Sequence, residues 1–175
     1  MKGELAFSKA PDLFTDDEQL DIQEQFKSDD IEVAFLKGEQ IQASFNSFIE
    51  MLINNDFLNE LEIALCVDIL KDIIIKIISK MKKKNVVILD AKQNEKPAKL
   101  TIKSNTGKGT IYLEVPCDIS DYGLQESIEK IIEAKSILDN NSNEGLNDLY
   151  IVEDKTGNLS IMTLTEYINY RKSIR

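Results

Sequence analysis

Residues 57–83 read FLNELEIALCVDILKDIIIKIISKMKK, and this stretch decides the fold of the chain. Apolar side chains recur along it at steps of three and four, from Leu61 through Ile69 and Ile77 to Met81. The apolar stripe is wider than about 100 degrees, which is typical of a helix packed on several sides. A long, central and mostly buried helix is therefore predicted over about 57–83.

The same helix is not predicted to cross a membrane. Its apolar run is interrupted by charged side chains that a bilayer would have to bury: Asp68, Lys71, Asp72, Lys76 and Lys80. Near the start of the chain, the apolar group Leu5–Phe7 is too short for a secretory signal, and acids follow it. We therefore expect a cytoplasmic protein with no membrane partner.

After the central helix the hydrophobic period becomes that of strands. The predicted elements are, in order, strands at 86–89, 99–103 and 110–115, a helix at about 121–139, strands at 149–152 and 159–162, and a helix at about 164–173. Short links between strands favour antiparallel pairing, with the helices gathered on one face of the sheet. No βαβα alternation is recognised, so a doubly wound nucleotide-binding fold is not expected.

The part before the central helix is predicted to be mainly helical. Residues 1–14 show no hydrophobic period and are expected to form an irregular arm. Thr15 followed by Glu18 is a capping-box pattern, which predicts the start of a helix. Residues 28–37 fit either a strand or a helix, with helix or irregular structure slightly favoured, and 39–54 show helical spacing.

The predicted fold class is therefore α+β. An acidic helical region over residues 1–56, either a separate unit or part of the same domain, packs with an α-βββ-α-ββ-α domain over residues 57–175. The sheet is expected to be mainly antiparallel, to have about five strands and to carry its helices on one face.

The net charge of the chain belongs to its first part. Residues 1–80 hold 17 acids and 7 lysines, a balance of 7 − 17 = −10, whereas residues 81–175 hold 14 acids and 14 bases, a balance of zero. A surface of one sign repels nucleic acid and anionic lipid and attracts basic proteins. The composition therefore argues against direct contact with nucleic acid and favours a basic protein as partner.

The densest charge lies in and just after the first predicted helix. The candidate partner-binding acids are Asp16, Asp17, Glu18, Asp21, Glu24, Asp29, Asp30 and Glu32. Three interpretations remain open: a contact surface for a basic partner, a solvated face that keeps the protein soluble, and a calcium or magnesium site. The acids from Asp12 to Asp21 lack the spacing, central glycine and terminal glutamate of an EF-hand loop, so no metal ligand is assigned.

A second candidate interface lies at the C-terminal end of the chain. Tyr167, Tyr170, Arg171 and Arg175 bring together the two residue types that concentrate in interface hot spots. The alternative interpretation is cationic capping of the last helix, with Tyr167 packed inward.

Composition also limits the chemistry. Histidine is absent, so Ser-His and Cys-His nucleophile pairs and His-ligated zinc cannot form within this chain. Cys66 and Cys117 lie in apolar surroundings, which favours buried free thiols over a single disulfide. Residues 107–110 read GKGT but lack the earlier glycine and the following helix of a phosphate loop, so a hairpin turn is predicted. No catalytic residue or cofactor is assigned, and a carboxylate-based or metal-assisted enzyme remains a minor alternative.

These observations favour a non-enzymatic, cytoplasmic protein-binding protein of the inhibitor, immunity or antagonist type. Its acidic helices would contact a basic partner, such as a protein that binds or attacks nucleic acid. The element order from residue 57 resembles that of type III secretion chaperones, which are small, acidic and dimeric. This resemblance of element order, over roughly residues 57–175, implies an alternative function: a homodimeric chaperone with an exposed apolar groove for an exported protein.

Overall fold

Strands and helices are interleaved along the chain. The structure is a computed structural model, and it describes residues 3–8, 13–27, 30–36, 49–60, 63–89, 93–140, 148–153 and 158–173. The elements are, in chain order, β1 (Gly3–Ser8), α1 (Asp16–Lys27), β2 (Ile31–Leu36), β3 (Ile49–Ile53), α2 (Asn55–Glu60), α3 (Ile63–Lys83), β4 (Val87–Leu89), β5 (Glu95–Pro97), β6 (Lys99–Asn105), β7 (Thr110–Pro116), α4 (Asp121–Asn140), β8 (Asp148–Glu153), β9 (Leu159–Thr163) and α5 (Leu164–Ser173).

One mixed sheet has seven strands in the order β2-β1-β3-β6-β7-β8-β9, and β4 pairs with β5 in a separate two-stranded sheet. Neighbours in the large sheet alternate between parallel pairs (β2–β1, β3–β6 and β7–β8) and antiparallel pairs (β1–β3, β6–β7 and β8–β9). The prediction of a mainly antiparallel sheet of about five strands is therefore wrong. The β3–β6 pairing joins residues from both sides of position 57 in one sheet.

Each parallel pair is connected by a crossover that contains a helix, as parallel neighbours require. α1 joins β1 to β2, α4 joins β7 to β8, and the segment from β3 to β6 contains α2, α3 and the small sheet. The expectation of a chain without βαβ units is thus also wrong. Parallel strands usually read as continuous apolar runs because helices cover both faces. Here β7 alternates between buried Ile111 and Leu113 and exposed Glu114, which is the pattern of an antiparallel strand.

Three strands lie in the region predicted to be mainly helical. β1 occupies residues predicted to form an irregular arm, and β2 adopts the strand alternative for residues 28–37, which was the less favoured one. β3 replaces the end of the helix predicted over 39–54, because Ile49, Met51 and Ile53 are buried at every second position. The earlier part of that predicted helix lies outside the described residues.

One face of the sheet carries the hydrophobic core. The register sets buried residues of adjacent strands in a row across this face: Phe7, Met51, Ile102, Leu113 and Ile151. Buried side chains of α1, α3 and α4 belong to the same cluster. These three helices therefore cover one face of the sheet and form the second layer of the fold.

The single helix predicted over about 57–83 corresponds to two helices, α2 and α3, of which α3 is the long, largely buried one. Their buried stripe includes Phe57 from α2 and Leu70, Ile73, Ile74 and Ile77 from α3, all of them no more than 1% exposed. Among the described helices, none combines the length and apolarity needed to span a bilayer.

The other face of the sheet is only partly covered. Tyr112 and Tyr150 lie on this outer face, since they alternate with the buried residues of β7 and β8. α5 packs against them through Tyr167, whose ring stacks on that of Tyr150. The expectation that all helices gather on one face is therefore wrong, because α5 follows the β8–β9 hairpin onto the uncovered side.

Candidate functional site

α1 begins where the capping box predicts. The Thr15 backbone N–H donates to Glu18 Oε2 at 2.9 Å, and the Glu18 backbone N–H donates to Thr15 Oγ1 at 3.3 Å. Lys80 of α3 donates a further hydrogen bond to Glu18 Oε1. The Lys80 bond first, and the Thr15 backbone bond second, lower the pKa of Glu18. Glu18 thus helps to dock α1 on α3, which is a structural task.

The other acids of α1 stand in solvent. Asp16, Asp17, Asp21 and Glu24 are all exposed. None of the four forms an ion pair with a residue that the structure describes. Asp17, Asp21 and Glu24 follow steps of four and three, so they share one stripe of the helix.

α1 lies beside β2, the strand at one edge of the large sheet. Gln23 Nε2 donates to the backbone oxygen of Val33 at 2.9 Å, so that α1 covers part of the open edge. Asp30 and Glu32 are exposed here, and Glu4 of β1, which the sequence analysis missed, lies directly opposite Glu32.

Most of the predicted partner-binding acids therefore lie on or beside α1 and β2, at one edge of the sheet. This acidic edge consists of Asp16, Asp17, Asp21, Glu24, Asp30 and Glu32. Asp29 lies outside the described residues.

Toward the other edge of the sheet, β7 and β8 stop pairing before either strand ends. β7 pairs with β6 along its whole length, from Thr110 to Pro116, but with β8 only from Thr110 to Leu113. A groove of about 740 Å³ opens at this point, between the first turns of α4 and the α5 helix. Its volume lies within the range of about 300–1,000 Å³ that is usual for ligand sites.

All five tyrosines of the chain line this groove, which we call the tyrosine groove: Tyr112, Tyr122, Tyr150, Tyr167 and Tyr170. The ring centroids of Tyr112 and Tyr150 are 4.9 Å apart, and those of Tyr150 and Tyr167 are 4.4 Å apart, with interplanar angles of 10° and 3°. The Tyr170 hydroxyl donates to the backbone oxygen of Glu153 at 2.8 Å. Tyr122 of α4, by contrast, is 78% exposed and stacks on none of the described rings.

Charged groups surround these rings. Lys99 Nζ lies 3.0 Å from Glu114 Oε2, and the Arg171 guanidinium carbon lies 5.9 Å from the centroid of the Tyr167 ring. Three further carboxylates line the groove without an ion pair to any described residue: Asp118, Glu126 and Glu153. The site therefore offers aromatic faces together with unneutralised negative charge.

Burial raises the pKa of the Tyr150 hydroxyl, and the charge of Asp148 raises it further. Tyr150 is therefore neutral at physiological pH and contributes a ring and a hydroxyl rather than a charge.

Three of the four residues of the predicted C-terminal interface meet on one wall of the groove. Tyr167, Tyr170 and Arg171 all belong to α5, and Tyr167 packs inward as the alternative interpretation expects. Arg175 lies outside the described residues. Sequence reasoning missed Tyr112, Tyr122 and Tyr150, although the alternation of Tyr112 and Tyr150 with buried neighbours already assigns both to one face of the sheet.

The remaining candidates have structural roles. Cys66 and Cys117 are free and buried, as predicted. Burial raises the pKa of Cys66 to about 12 and also raises that of Cys117, so both thiols stay protonated at neutral pH. Gly107, with φ of 75°, belongs to the β6–β7 turn, and this confirms the predicted hairpin.

Two surface features thus stand out among the described residues: the acidic edge and the tyrosine groove. Within the described ranges, no three His, Cys, Asp or Glu side chains are placed to hold a metal ion. The chain matches no protein-family model, no curated protein and no solved structure.

Proposed function

We propose that this chain is a non-enzymatic binding protein whose acidic edge contacts a basic protein surface, as an inhibitor, an immunity protein or an antagonist would. The observation that carries the proposal is the exposure of Asp16, Asp17, Asp21 and Glu24 on one helix without a neutralising partner among the described residues. Long-range attraction of this kind accelerates the encounter with a partner of opposite charge.

Local structure accounts for only part of this charge. Asp16 and Asp17 lie in the first turn of α1, where the helix dipole stabilises anions. Asp21 and Glu24 lie beyond that turn, so the dipole does not explain them.

Two lysines of α3 contact α1 without forming an ion pair with its exposed acids. Lys80 bonds to Glu18, and Lys76 donates to Gln25 and lies 5.3 Å from the centroid of the Phe26 ring. The outer stripe of α1 therefore keeps its negative charge, which supports a role in contacting a partner.

The test compares two variants with the same change in charge. Asp16→Asn, Asp17→Asn and Asp21→Asn together neutralise three of the six acids of the acidic edge. In the control, Glu129→Gln, Glu133→Gln and Asp139→Asn neutralise three exposed acids of α4. Both variants and the original protein serve as bait for capture from native lysate at low and high salt, and bound proteins are identified by mass.

The expected result is a basic protein that the original protein and the α4 variant retain at low salt and that the acidic-edge variant retains poorly. With that protein purified, the association rate of the acidic-edge variant should fall at least about ten-fold and lose most of its salt dependence. Equal retention by all three baits would show that the acidic edge is not the contact surface.

The runner-up function, a homodimeric chaperone, draws its support from the tyrosine groove, which is open enough to admit an extended client. This alternative requires a stable dimer. Light scattering at micromolar concentration distinguishes the two functions, because a strict monomer contradicts the chaperone.

A further inference from the structure

We propose that the tyrosine groove binds an arginine side chain carried by an extended segment of a protein partner. This site lies on a different part of the molecule from the acidic edge, and its test does not depend on that surface. Three observations lead to the proposal: the charge of the groove, the free aromatic face within it, and the parting of the strands at its floor.

The charge of the groove favours a cation. Glu114 is already neutralised by Lys99 at 3.0 Å. Asp118, Glu126 and Glu153 line the same groove and form no ion pair with the described residues. The lining has four acids against two basic residues, Lys99 and Arg171, so its formal charge is negative. An incoming positive group would meet these carboxylates in a concave site, where charge interactions are stronger than on an open surface.

The aromatic faces favour a planar cation over a compact one. Arg171 lies over the ring of Tyr167, at the end of the stack that Tyr112, Tyr150 and Tyr167 form, so one guanidinium already sits on this wall. The opposite wall presents Tyr122, whose ring is 78% exposed and stacks on no described ring. A second guanidinium can lie on that face in the same manner.

Glu126 stands one helical turn after Tyr122, on the same side of α4. A guanidinium stacked on the Tyr122 ring can therefore direct its N–H groups toward the Glu126 carboxylate. Stacking combined with a forked ion pair is the geometry that distinguishes arginine from lysine.

The floor of the groove favours an extended segment rather than a free small cation. Beyond Leu113 the register pairs β7 with β6 only, and no described strand lies on its β8 side. Consecutive residues of a strand direct their backbone groups to opposite sides. Either Glu114 or Val115 therefore directs its backbone N–H and C=O into the gap, where an extended chain could bond to them.

The chain contains its own reporter for this site. It has no tryptophan, and all five tyrosines line the groove, so its tyrosine emission comes from the groove alone. The probe is a blocked, tyrosine-free five-residue peptide with central arginine. Its matched control replaces arginine with citrulline, which has the same shape without the charge. We expect saturable change in tyrosine emission with the arginine peptide and binding at least about ten-fold weaker with citrulline.

Variants locate the binding. We expect the single substitutions Glu126→Gln and Tyr122→Leu each to weaken binding of the arginine peptide about five- to ten-fold. Neither side chain is buried, so both variants should fold, and circular dichroism can verify this. The acidic-edge variant with Asn at positions 16, 17 and 21 should bind the peptide within two-fold of the original, as a rough bound on long-range effects.

Several results would overturn the proposal. Equal binding of the citrulline peptide would show that the groove does not recognise the positive charge. An unchanged affinity of the Glu126→Gln variant would show that the peptide does not bind at this site. A loss in the acidic-edge variant as large as that in Glu126→Gln would show general attraction to an acidic protein. Blocked arginine that binds as tightly as the peptide would exclude the extended segment. None of these results bears on capture by the acidic edge, so the two proposals can fail separately.

Discussion

The β1–α1–β2 and β7–α4–β8 units share one connection, a parallel pair of strands joined by a helix on the core face, yet they end differently. β1 and β2 pair along their whole length, from Gly3 with Ile31 to Ser8 with Leu36. β7 and β8 pair only as far as Leu113 and then part. The fully paired unit carries exposed acids on its helix, whereas the incompletely paired unit opens into the tyrosine groove. The extent of strand pairing is therefore a structural difference between the units that carry the two proposed contact surfaces.

The largest expected effect tests whether the two units unfold together. Phe26 of α1 is 2% exposed and belongs to the shared core, so Phe26→Ala should lower the free energy of unfolding by about 3–5 kcal/mol. All tyrosines lie between positions 112 and 170, so their emission reports on the β7–α4–β8 side of the molecule. Because β3 pairs with β6, the two units should unfold together. The urea midpoint of unfolding should therefore fall by the same amount whether it is followed by tyrosine emission or by circular dichroism.

Ile128→Ala in α4 is the matched control, since Ile128 is fully buried in the other unit. Both variants should show one transition by both probes. A Phe26→Ala variant whose tyrosine transition stays in place would show that the two units are independent, and residues 1–56 would then form a separate unit.

Most elements after residue 57 could be predicted because each has a single dominant period, whereas the three-residue strand β5 was missed because it is too short to show one. α3 has a helical stripe, β6 and β7 alternate around a turn with Gly107 at positive φ, and a capping box fixes the start of α5. Before residue 57, only the start of α1 is fixed in the same way, by its own capping box. The first three strands could not be predicted, since apolar residues of β3 such as Ile49 and Ile53 satisfy helical and strand spacing equally. Only their pairing in the sheet decides between the two.

Of the two candidate sites, the acidic edge could be predicted from the sequence and the tyrosine groove could not. The acids of α1 are close in sequence, so one helix suffices to bring them together. The tyrosine groove joins residues from β7, α4, β8 and α5, and its existence depends on where β7 and β8 stop pairing. Hydrophobic periodicity does not show where two strands stop pairing. Strands with one exposed face also alternate like antiparallel strands, so the sequence does not reveal that β7 and β8 are parallel.

The capping boxes at the starts of α1 and α5 should give an effect of intermediate size. Thr15 and Thr163 cap α1 and α5 with the same reciprocal bonds, so Thr15→Ala and Thr163→Ala should each lower the free energy of unfolding by about 1 kcal/mol at neutral pH. The two boxes differ in one partner, because Lys80 also bonds to Glu18.

The pH dependence of these boxes has a definite sign. The pKa of Glu18 is lowered, chiefly by Lys80, and that of Glu166 is lowered, chiefly by the Thr163 backbone bond, both from the usual 4.5. Each carboxylate therefore stabilises the folded state above pH 4.5 and loses this effect as the pH falls through its lowered pKa. Thermal melts of Glu18→Gln and Glu166→Gln should approach that of the original protein in acid. Added salt should reduce the effect of Glu18→Gln more than that of Glu166→Gln, and an equal response would mean that Lys80 contributes no charge interaction.

The smallest expected effect distinguishes, within α1, an acid that stabilises the helix from an acid that does not contribute to stability. Asp17 lies in the first turn, where the helix dipole favours an anion, so Asp17→Asn should cost about 0.3–1 kcal/mol at low salt. Asp21 lies one turn later, is exposed and has no ion pair among the described residues, so Asp21→Asn should change stability by less than about 0.5 kcal/mol. Urea denaturation at low and high salt measures both. If Asp21→Asn destabilises as much as Asp17→Asn, the Asp21 charge supports the fold, and the acidic edge loses a residue from its proposed contact. A neutral or slightly stabilising result means that folding alone does not account for this carboxylate, as expected of a residue that displays charge to a partner.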